Sequence, residues 1–161
     1  MAKTGEIQLL VENLEEAFRR RAWHGTNLMG ALRGLSVAEA LWRPAPDRHN
    51  IWELAVHCGY WKYAVWRQLT GAPKGSFPLA GSDFFPREQG TMAEWRSDLG
   101  LLRRCHLDLL RAVEAVPPGR LARRSTGSKF TTAQLIRGAA AHDLYHAGQI
   151  QLLKRLTESE P

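Results

Sequence analysis

The feature of this sequence that most constrains the fold is a repeat of core-type positions every three or four residues in two long segments. In residues 91–116 the repeat comprises Trp95, Leu99, Leu102, His106, Leu109, Val113 and Val116. In residues 131–157 it comprises Leu135, Ala139, His142, His146, Gln149, Leu153 and Leu156. Such spacing places one side chain per turn on the same helix face and is typical of helices that pack side by side. Both segments are therefore predicted to be long helices with one buried face.

Two further segments, about 5–22 and 50–69, also have helical periodicity. Three of the four begin with residue pairs typical of helix N-termini, namely Asn50 with Glu53, Thr91 with Glu94, and Thr131 with Gln134. Shorter helical pieces are predicted at about 27–34 and 36–42, between the first and second long helices. No segment has the alternation of a β-strand. The expected fold class is all-α, and the expected architecture is a four-helix bundle.

Residues 71–90, GAPKGSFPLAGSDFFPREQG, separate the second and third long helices. The segment is rich in glycine and proline, so it is predicted to lack regular structure. A loop of this length is uncommon within a domain and is often functional.

Composition limits the class of protein. The 161 residues are 44% hydrophobic and 24% charged, which suits a single globular domain spanning 1–161. No apolar run approaches the roughly 20 residues of a membrane span, and the first residues do not have the pattern of a signal peptide. Cys58 and Cys105 form no disulfide framework or zinc-finger spacing, so we expect reduced thiols in a cytoplasmic protein.

The net charge of +6 admits anionic partners. Arginines are spread along the chain, and no basic run is interleaved with the aromatic residues that stack single strands. We therefore do not expect nucleic-acid binding and interpret the charge as a solvated basic surface; the expected partner is a small-molecule substrate or thiol.

Two histidines, His142 and His146, interrupt the apolar face of the last helix. Residues four apart on a helix lie about 5–6 Å from each other, so both imidazoles can bind one ion. Because buried polar groups require partners, their place on a core face favours a metal site.

His57, in IWELAVHCGYW, is the candidate third ligand. It lies about 13 residues, roughly 20 Å, before the end of its helix, and the other two histidines lie roughly 15–21 Å after the start of theirs. These levels match only if the second and fourth long helices are antiparallel. An up-down-up-down bundle would make them parallel, so a shared site requires a crossover, which loop 71–90 is long enough to provide. Three protein ligands leave open positions on the ion, as in catalytic sites.

Three other residues are candidates for supporting this site. Gln149 lies on the same helix face as His142 and His146, about one turn after His146. Glu53 lies one turn before His57. Each is a candidate hydrogen-bond partner of a ligand, although Glu53 can equally belong to the helix cap. His106 is a candidate fourth ligand or supporting donor, and a core histidine bonded to another acceptor is the alternative.

The HDLYH segment also has the spacing of the zincin motif HExxH, with Asp143 in the place of the general base. Aspartate is one carbon shorter than glutamate, and only 15 residues follow His146, which leaves little room for a third ligand downstream. A metalloprotease is therefore disfavoured.

The sequence resembles the DinB/YfiT superfamily of metal-binding four-helix bundles over most of its length. The resemblance rests on WHGTNL, on LWRPAPDRHNIWELAVHCGYW, and most specifically on AAHDLYHAGQIQLLKRL. It implies that His57, His142 and His146 are the metal ligands, that the helices run up-down-down-up, and that the protein forms homodimers. It also implies a variable metal such as zinc, nickel or manganese.

Characterised members of that superfamily include thiol S-transferases and isomerases. The resemblance therefore implies an enzyme in which the ion activates a low-molecular-weight thiol. A hydrolase, in which the ion activates water, remains open, as does a non-catalytic metal-binding stress-response module whose ion mainly stabilises the bundle.

Overall fold

The computed structural model describes residues 5–125 and 127–158, and these residues are helical apart from their connecting segments. The helices are α1 (Gly5–Phe18), α2 (Leu28–Ala31), α3 (Val37–Leu41), α4 (Ile51–Thr70), α5 (Met92–Glu114) and α6 (Thr132–Glu158). A short 3-10 turn covers Pro118–Arg120. Within the described ranges there is no strand, only two isolated β-bridges. The all-α class is confirmed.

Local sequence signals account for most helix ends. The side chain of Asn50 caps α4, and Gly71 ends it in the left-handed conformation that glycine adopts readily. Thr91 and Glu94 form the predicted reciprocal capping box at α5. Thr131 and Gln134 exchange the same pair of hydrogen bonds at the start of α6.

The first helix ends earlier than the predicted limit near residue 22. It stops at Phe18, and the backbone amides of Arg19 and Arg20 both bond to the carbonyl of Glu15. The side chain of Asn27 then donates to the carbonyl of Arg20 and caps α2. The turn is thus fixed by an asparagine that lies beyond the helical pattern.

Contacts along the helices establish the relative directions of α4 and its two neighbours. Trp52 packs on Trp95 and Gly59 lies against Leu102, so α4 and α5 run parallel. On the other side, Leu54 and Leu153 line one cavity while Val65 and Ala139 line another. The order is reversed in this pair, so α4 and α6 run antiparallel.

The apolar core consists of two clusters. One surrounds α4, the first half of α5 and the short helices α2 and α3. The other joins α1 to the end of α5 and the first half of α6. Buried polar side chains lie at the level where the two meet, among them Glu15, Lys62, His106 and Asp143.

Loop 71–90 packs against α4. Phe77 and Phe85 are buried in the first core cluster. The backbone amide of Arg87 donates to the carboxylate of Glu53, and its carbonyl accepts from the side chain of Asn50. These bonds lead the loop across the N-terminal half of α4, next to His57.

None of the helices in the described part of the chain combines the length and apolarity needed to cross a bilayer.

Candidate metal centre

Three histidine nitrogens converge between α4 and α6. The Nε2 atom of His142 lies 3.0 Å from Nε2 of His57 and 3.1 Å from Nε2 of His146. The antiparallel packing of the two helices brings these residues to one level, as their spacing in the sequence predicted. Their ligand atoms form a group that could hold a metal ion.

The outer nitrogens of two of these rings are bound to oxygen. Nδ1 of His57 lies 3.0 Å from the carbonyl oxygen of Asp83, and Nδ1 of His146 lies 2.7 Å from Oε1 of Gln149. An oxygen acceptor at Nδ1 keeps the proton there, so each Nε2 presents a lone pair. Both lone pairs face Nε2 of His142, which can donate at most one proton. The centre therefore has an excess of lone pairs that a cation can satisfy.

The distances are close to those around a single ion. Nitrogen atoms bonded to one metal at about 2.1 Å are separated by about 3.0 Å at right angles and by about 3.4 Å at the tetrahedral angle. The two separations from Nε2 of His142 lie at the short end of that range. The donor set, three neutral imidazoles, suits zinc and other borderline divalent metals.

Electrostatics favour the neutral form of each ring. Burial lowers the pKa of His142 to about 3, helped by the charges of His146, His57 and Lys62. Burial also lowers the pKa of His146 to about 4, against the hydrogen bond with Gln149, and lowers that of His57. Because metals bind unprotonated imidazole, these shifts leave the three rings ready to bind at neutral pH.

A cavity of about 580 Å³ opens over the three histidines. Its lining includes Leu54, Leu153, Phe84, Tyr145 and His49. The ring of Phe84 stacks on His57 at 4.0 Å and on His49 at 3.6 Å between centroids. A reactant of small-molecule size can therefore reach the centre beside an aromatic wall.

A buried ion pair and a buried thiol lie next to His142. Lys62 and Asp143 form a fully buried ion pair between α4 and α6. Cys58 is also buried, and its thiol lies within 4.8 Å of donor atoms of His142 and Asp143. Burial raises the pKa of the Cys58 thiol well above its usual range, and the charge of Asp143 adds to that effect. Cys58 is thus an inert core thiol, and Asp143, bound to Lys62, is unsuited to the role of a protease base.

The three predicted supporting residues lie in different places. Gln149 contacts His146, as described above. The backbone amide of Glu53 donates to the side-chain oxygen of Asn50, and its carboxylate bonds to Arg43 and to His49, which lines the cavity. His106 bonds to Glu15 of α1 and stacks on Phe18, within the core between α1 and α5.

The sequence interpretation missed Asp83 and Lys62. Asp83 lies in the loop that was predicted to be functional, but no periodicity marks which loop residue contacts His57. The sequence could have identified Lys62. The buried face of α4 repeats every three or four residues, and Lys62 occupies one of its positions, between Cys58 and Val65. A lysine on such a face predicts a buried anionic partner.

Comparison with protein families identifies one relationship. The model of the DinB superfamily matches residues 20–150. That range includes α2 to α5 and α6 as far as Ile150, with all three histidines. No curated protein and no solved structure shows a significant match to the chain. On the extent of the family match, the chain belongs to the DinB superfamily.

Proposed function

We propose that this protein is a metal-dependent enzyme that binds a divalent ion on His57, His142 and His146 and acts on a small molecule. The observation that carries the proposal is the convergence of three histidines in the lining of an open cavity, with Nε2 of His142 3.0–3.1 Å from Nε2 of the other two. Zinc, nickel and manganese are the candidate metals.

The reaction we favour is the transfer of a low-molecular-weight thiol to an electrophile, as an S-transferase or isomerase. A bound divalent ion lowers the pKa of a thiol or water that reaches it and so supplies a nucleophile at neutral pH. In this reaction Asp83 and Gln149 orient two of the imidazoles, and Phe84 and Leu153 exclude water from one side of the reactants. Cys58 takes no part, because it is buried and its pKa is raised. Use of water, as in a hydrolase, is the alternative outcome of the experiment below.

The proposal extends to the architecture. Parallel α4 and α5 with antiparallel α4 and α6 support an up-down-down-up four-helix bundle in which loop 71–90 is the crossover. We further propose a single domain over 1–161 that is cytoplasmic and forms homodimers.

The first test is elemental analysis of untagged protein purified without chelator, with His142→Ala alongside. We expect about one divalent transition-metal ion per chain in the wild type and loss of that ion in the variant. Absence of metal in both proteins, with no uptake on titration, would contradict the proposal.

The second test distinguishes the reactions. Metal-loaded protein is given 2-mercaptoethanol or glutathione with 1-chloro-2,4-dinitrobenzene, and separately 4-nitrophenyl acetate without thiol. Thiol-dependent turnover supports the transferase, and thiol-independent ester cleavage supports the hydrolase. In either case His57→Ala should lose activity and Cys58→Ala should keep it. Equal activity in these two variants argues against a role for the metal. One ion per chain without turnover of either probe would favour the non-catalytic stress-response module.

A further inference from the structure

His49 and Glu53 form a hydrogen-bonded pair at the rim of the cavity over the three histidines. Nδ1 of His49 lies 2.8 Å from Oε2 of Glu53. The side chain of Glu53 is 5% exposed, whereas that of His49 is 48% exposed. The imidazole also lines the cavity. A buried carboxylate behind a half-exposed histidine is the arrangement by which enzymes orient a catalytic imidazole.

Glu53 is held as a carboxylate. Arg43 donates to both of its oxygens, and the amide of Arg87 donates to Oε1. Burial raises the pKa of Glu53, but these hydrogen bonds and that of His49 outweigh burial and leave the pKa below its usual value. A carboxylate only accepts, so Nδ1 of His49 must carry the proton. The lone pair of a neutral His49 is then on Nε2, the nitrogen away from Glu53.

Phe84 sets the position of His49 relative to the metal centre. Its ring stacks on His49 with an angle of 3° and on His57 with an angle of 10°, so it lies between the two imidazoles. One aromatic ring therefore separates His49 from the nearest of the three converging histidines. A thiol or water molecule at the metal centre can pass its proton around the edge of Phe84 to His49 through one bridging water.

We propose that His49 is a general base of this enzyme and that Glu53 is its positioning residue. The inference rests on the proposed function and deepens it. The reactant's S–H bond, or the O–H bond of water, breaks as its proton passes to Nε2 of His49. The electron pair stays on sulfur or oxygen, which bonds to the electrophilic carbon while the leaving group departs with its own pair. With 1-chloro-2,4-dinitrobenzene a C–S bond forms, a C–Cl bond breaks and chloride leaves.

Other charged and titratable groups face His49. Arg43 is paired with Glu53, the partner of His49. Arg48 directly precedes His49 in the sequence and is paired with Asp47 at the surface. His57 and His146 lie across the cavity. The hydrogen bond between Nδ1 of His49 and Glu53 leaves Nε2 as the base.

The test uses His49→Phe, which keeps a ring for the stack on Phe84 and removes both nitrogens, together with His49→Gln. Turnover of the probe identified above is measured across pH 5–9, with metal content. We expect unchanged metal content, a loss of kcat/KM of roughly 100-fold, and loss of the acid limb of the pH profile. In His49→Ala, whose smaller side chain leaves space for it, added imidazole should restore turnover in proportion to its free-base concentration. His24→Gln, which changes an exposed histidine outside this cavity, is the matched control and should behave as wild type.

Glu53→Gln tests the positioning role. An amide at this site can donate to Nδ1 and favour the opposite tautomer, so we expect a lower kcat with a smaller change in KM. In ¹⁵N NMR spectra of the metal-free protein, the His49 proton should move from Nδ1 to Nε2.

The outcomes separate the two proposals. Wild-type turnover in His49→Phe, with activity lost in His57→Ala, would overturn the role of His49 and leave the metal-dependent function intact. A loss of activity that imidazole does not restore, in a variant with less metal, would make His49 structural and would also overturn the inference. No turnover of either probe by the wild type would overturn both.

Discussion

Lys62 of α4 and Asp143 of α6 form an ion pair from which solvent is excluded, with each side chain only 1% exposed. The ammonium also lies 4.8 Å from the centre of the Phe18 ring. Asp143 directly follows His142, one of the three converging histidines, so the pair fixes the two helices at the level of the candidate centre.

Removing one charge of this pair should lower the free energy of unfolding far more than replacing both residues with apolar ones. Lys62→Met leaves Asp143 buried without its cation, and we expect a loss of about 3–5 kcal/mol in the free energy of unfolding. The double variant Lys62→Met/Asp143→Leu removes both charges and should return to within about 1 kcal/mol of wild type. Urea unfolding of metal-free protein measures both. Lys74→Met, at an exposed lysine, is the control, and a double variant as unstable as the single would contradict the argument.

The positions of the long helices could be predicted because periodicity and capping pairs are local. The three-histidine group could also be predicted, because His142 and His146 are one turn apart and the level of His57 follows from helix geometry. What surrounds the group depends on contacts between residues distant in sequence. Asp83 meets His57 only because loop 71–90 packs back along α4, and nothing in the order of residues within that loop specifies this contact.

The buried polar pairs could be predicted only in part. Lys62 stands on the apolar face of α4 and His106 on that of α5, so each signals a polar contact in the core. Their partners, Asp143 and Glu15, lie on other helices at positions that sequence spacing does not reveal. The capping role of Glu53 illustrates another limit. The sequence correctly placed it at the start of α4, but its carboxylate binds Arg43 and His49 and does not complete a capping box.

Acid should destabilise the metal-free protein in part through His106. Burial lowers its pKa to about 3, and the charge of Lys62 adds to that shift against the opposing effect of Glu15. An unfolded histidine has a pKa of about 6.5, so between pH 6.5 and 3 the unfolded chain binds the extra proton and stability falls as pH falls. The full contribution of neutral His106 to the free energy of unfolding is present above pH 6.5.

The contribution of His106 can be isolated with His106→Gln, whose side chain does not titrate. From pH 6.5 to 4.5 the wild type should lose roughly 2–3 kcal/mol more than the variant. Urea midpoints measured at intervals of pH provide the comparison, and His24→Gln should leave the wild-type slope intact. Equal slopes in wild type and His106→Gln would show that His106 is not kept neutral by the fold.

Gly90 should not tolerate a side chain. A Cβ atom there would lie 2.6 Å from Cη2 of Trp52, a buried ring that packs on Trp95 and donates to Asp98. Gly90→Ala should therefore cost about 1–3 kcal/mol in the free energy of unfolding. Gly138→Ala is the matched control, because that exposed glycine of α6 has open space around it and alanine favours the helix by about 0.5–1 kcal/mol. If the two changes have the same effect in thermal unfolding, the packing of Trp52 on Gly90 is not as described.

Asp83 should set the metal affinity of the centre from outside the ligand set. It is the non-glycine residue with a positive φ, 67°, among those described. Its carbonyl oxygen lies 3.0 Å from Nδ1 of His57, and its carboxylate lies 3.2 Å from the same atom and accepts from Nε1 of Trp61. Asp83→Ala keeps the carbonyl but removes the carboxylate. Loss of a partner of a ligating histidine commonly costs 10–100-fold in metal affinity, so we expect a decrease near the lower end of that range, measured by competition with a chromogenic chelator.

Two companion substitutions separate the carboxylate from the backbone conformation. Asparagine tolerates a positive φ and keeps an acceptor oxygen, so Asp83→Asn should remain within about 3-fold of wild type. Glycine removes the side chain but adopts this backbone conformation without strain, so Asp83→Gly should match Asp83→Ala if the carboxylate is responsible. Affinity restored by glycine alone would instead assign the effect to backbone strain in alanine. Wild-type affinity in all three variants would show that His57 is oriented without Asp83.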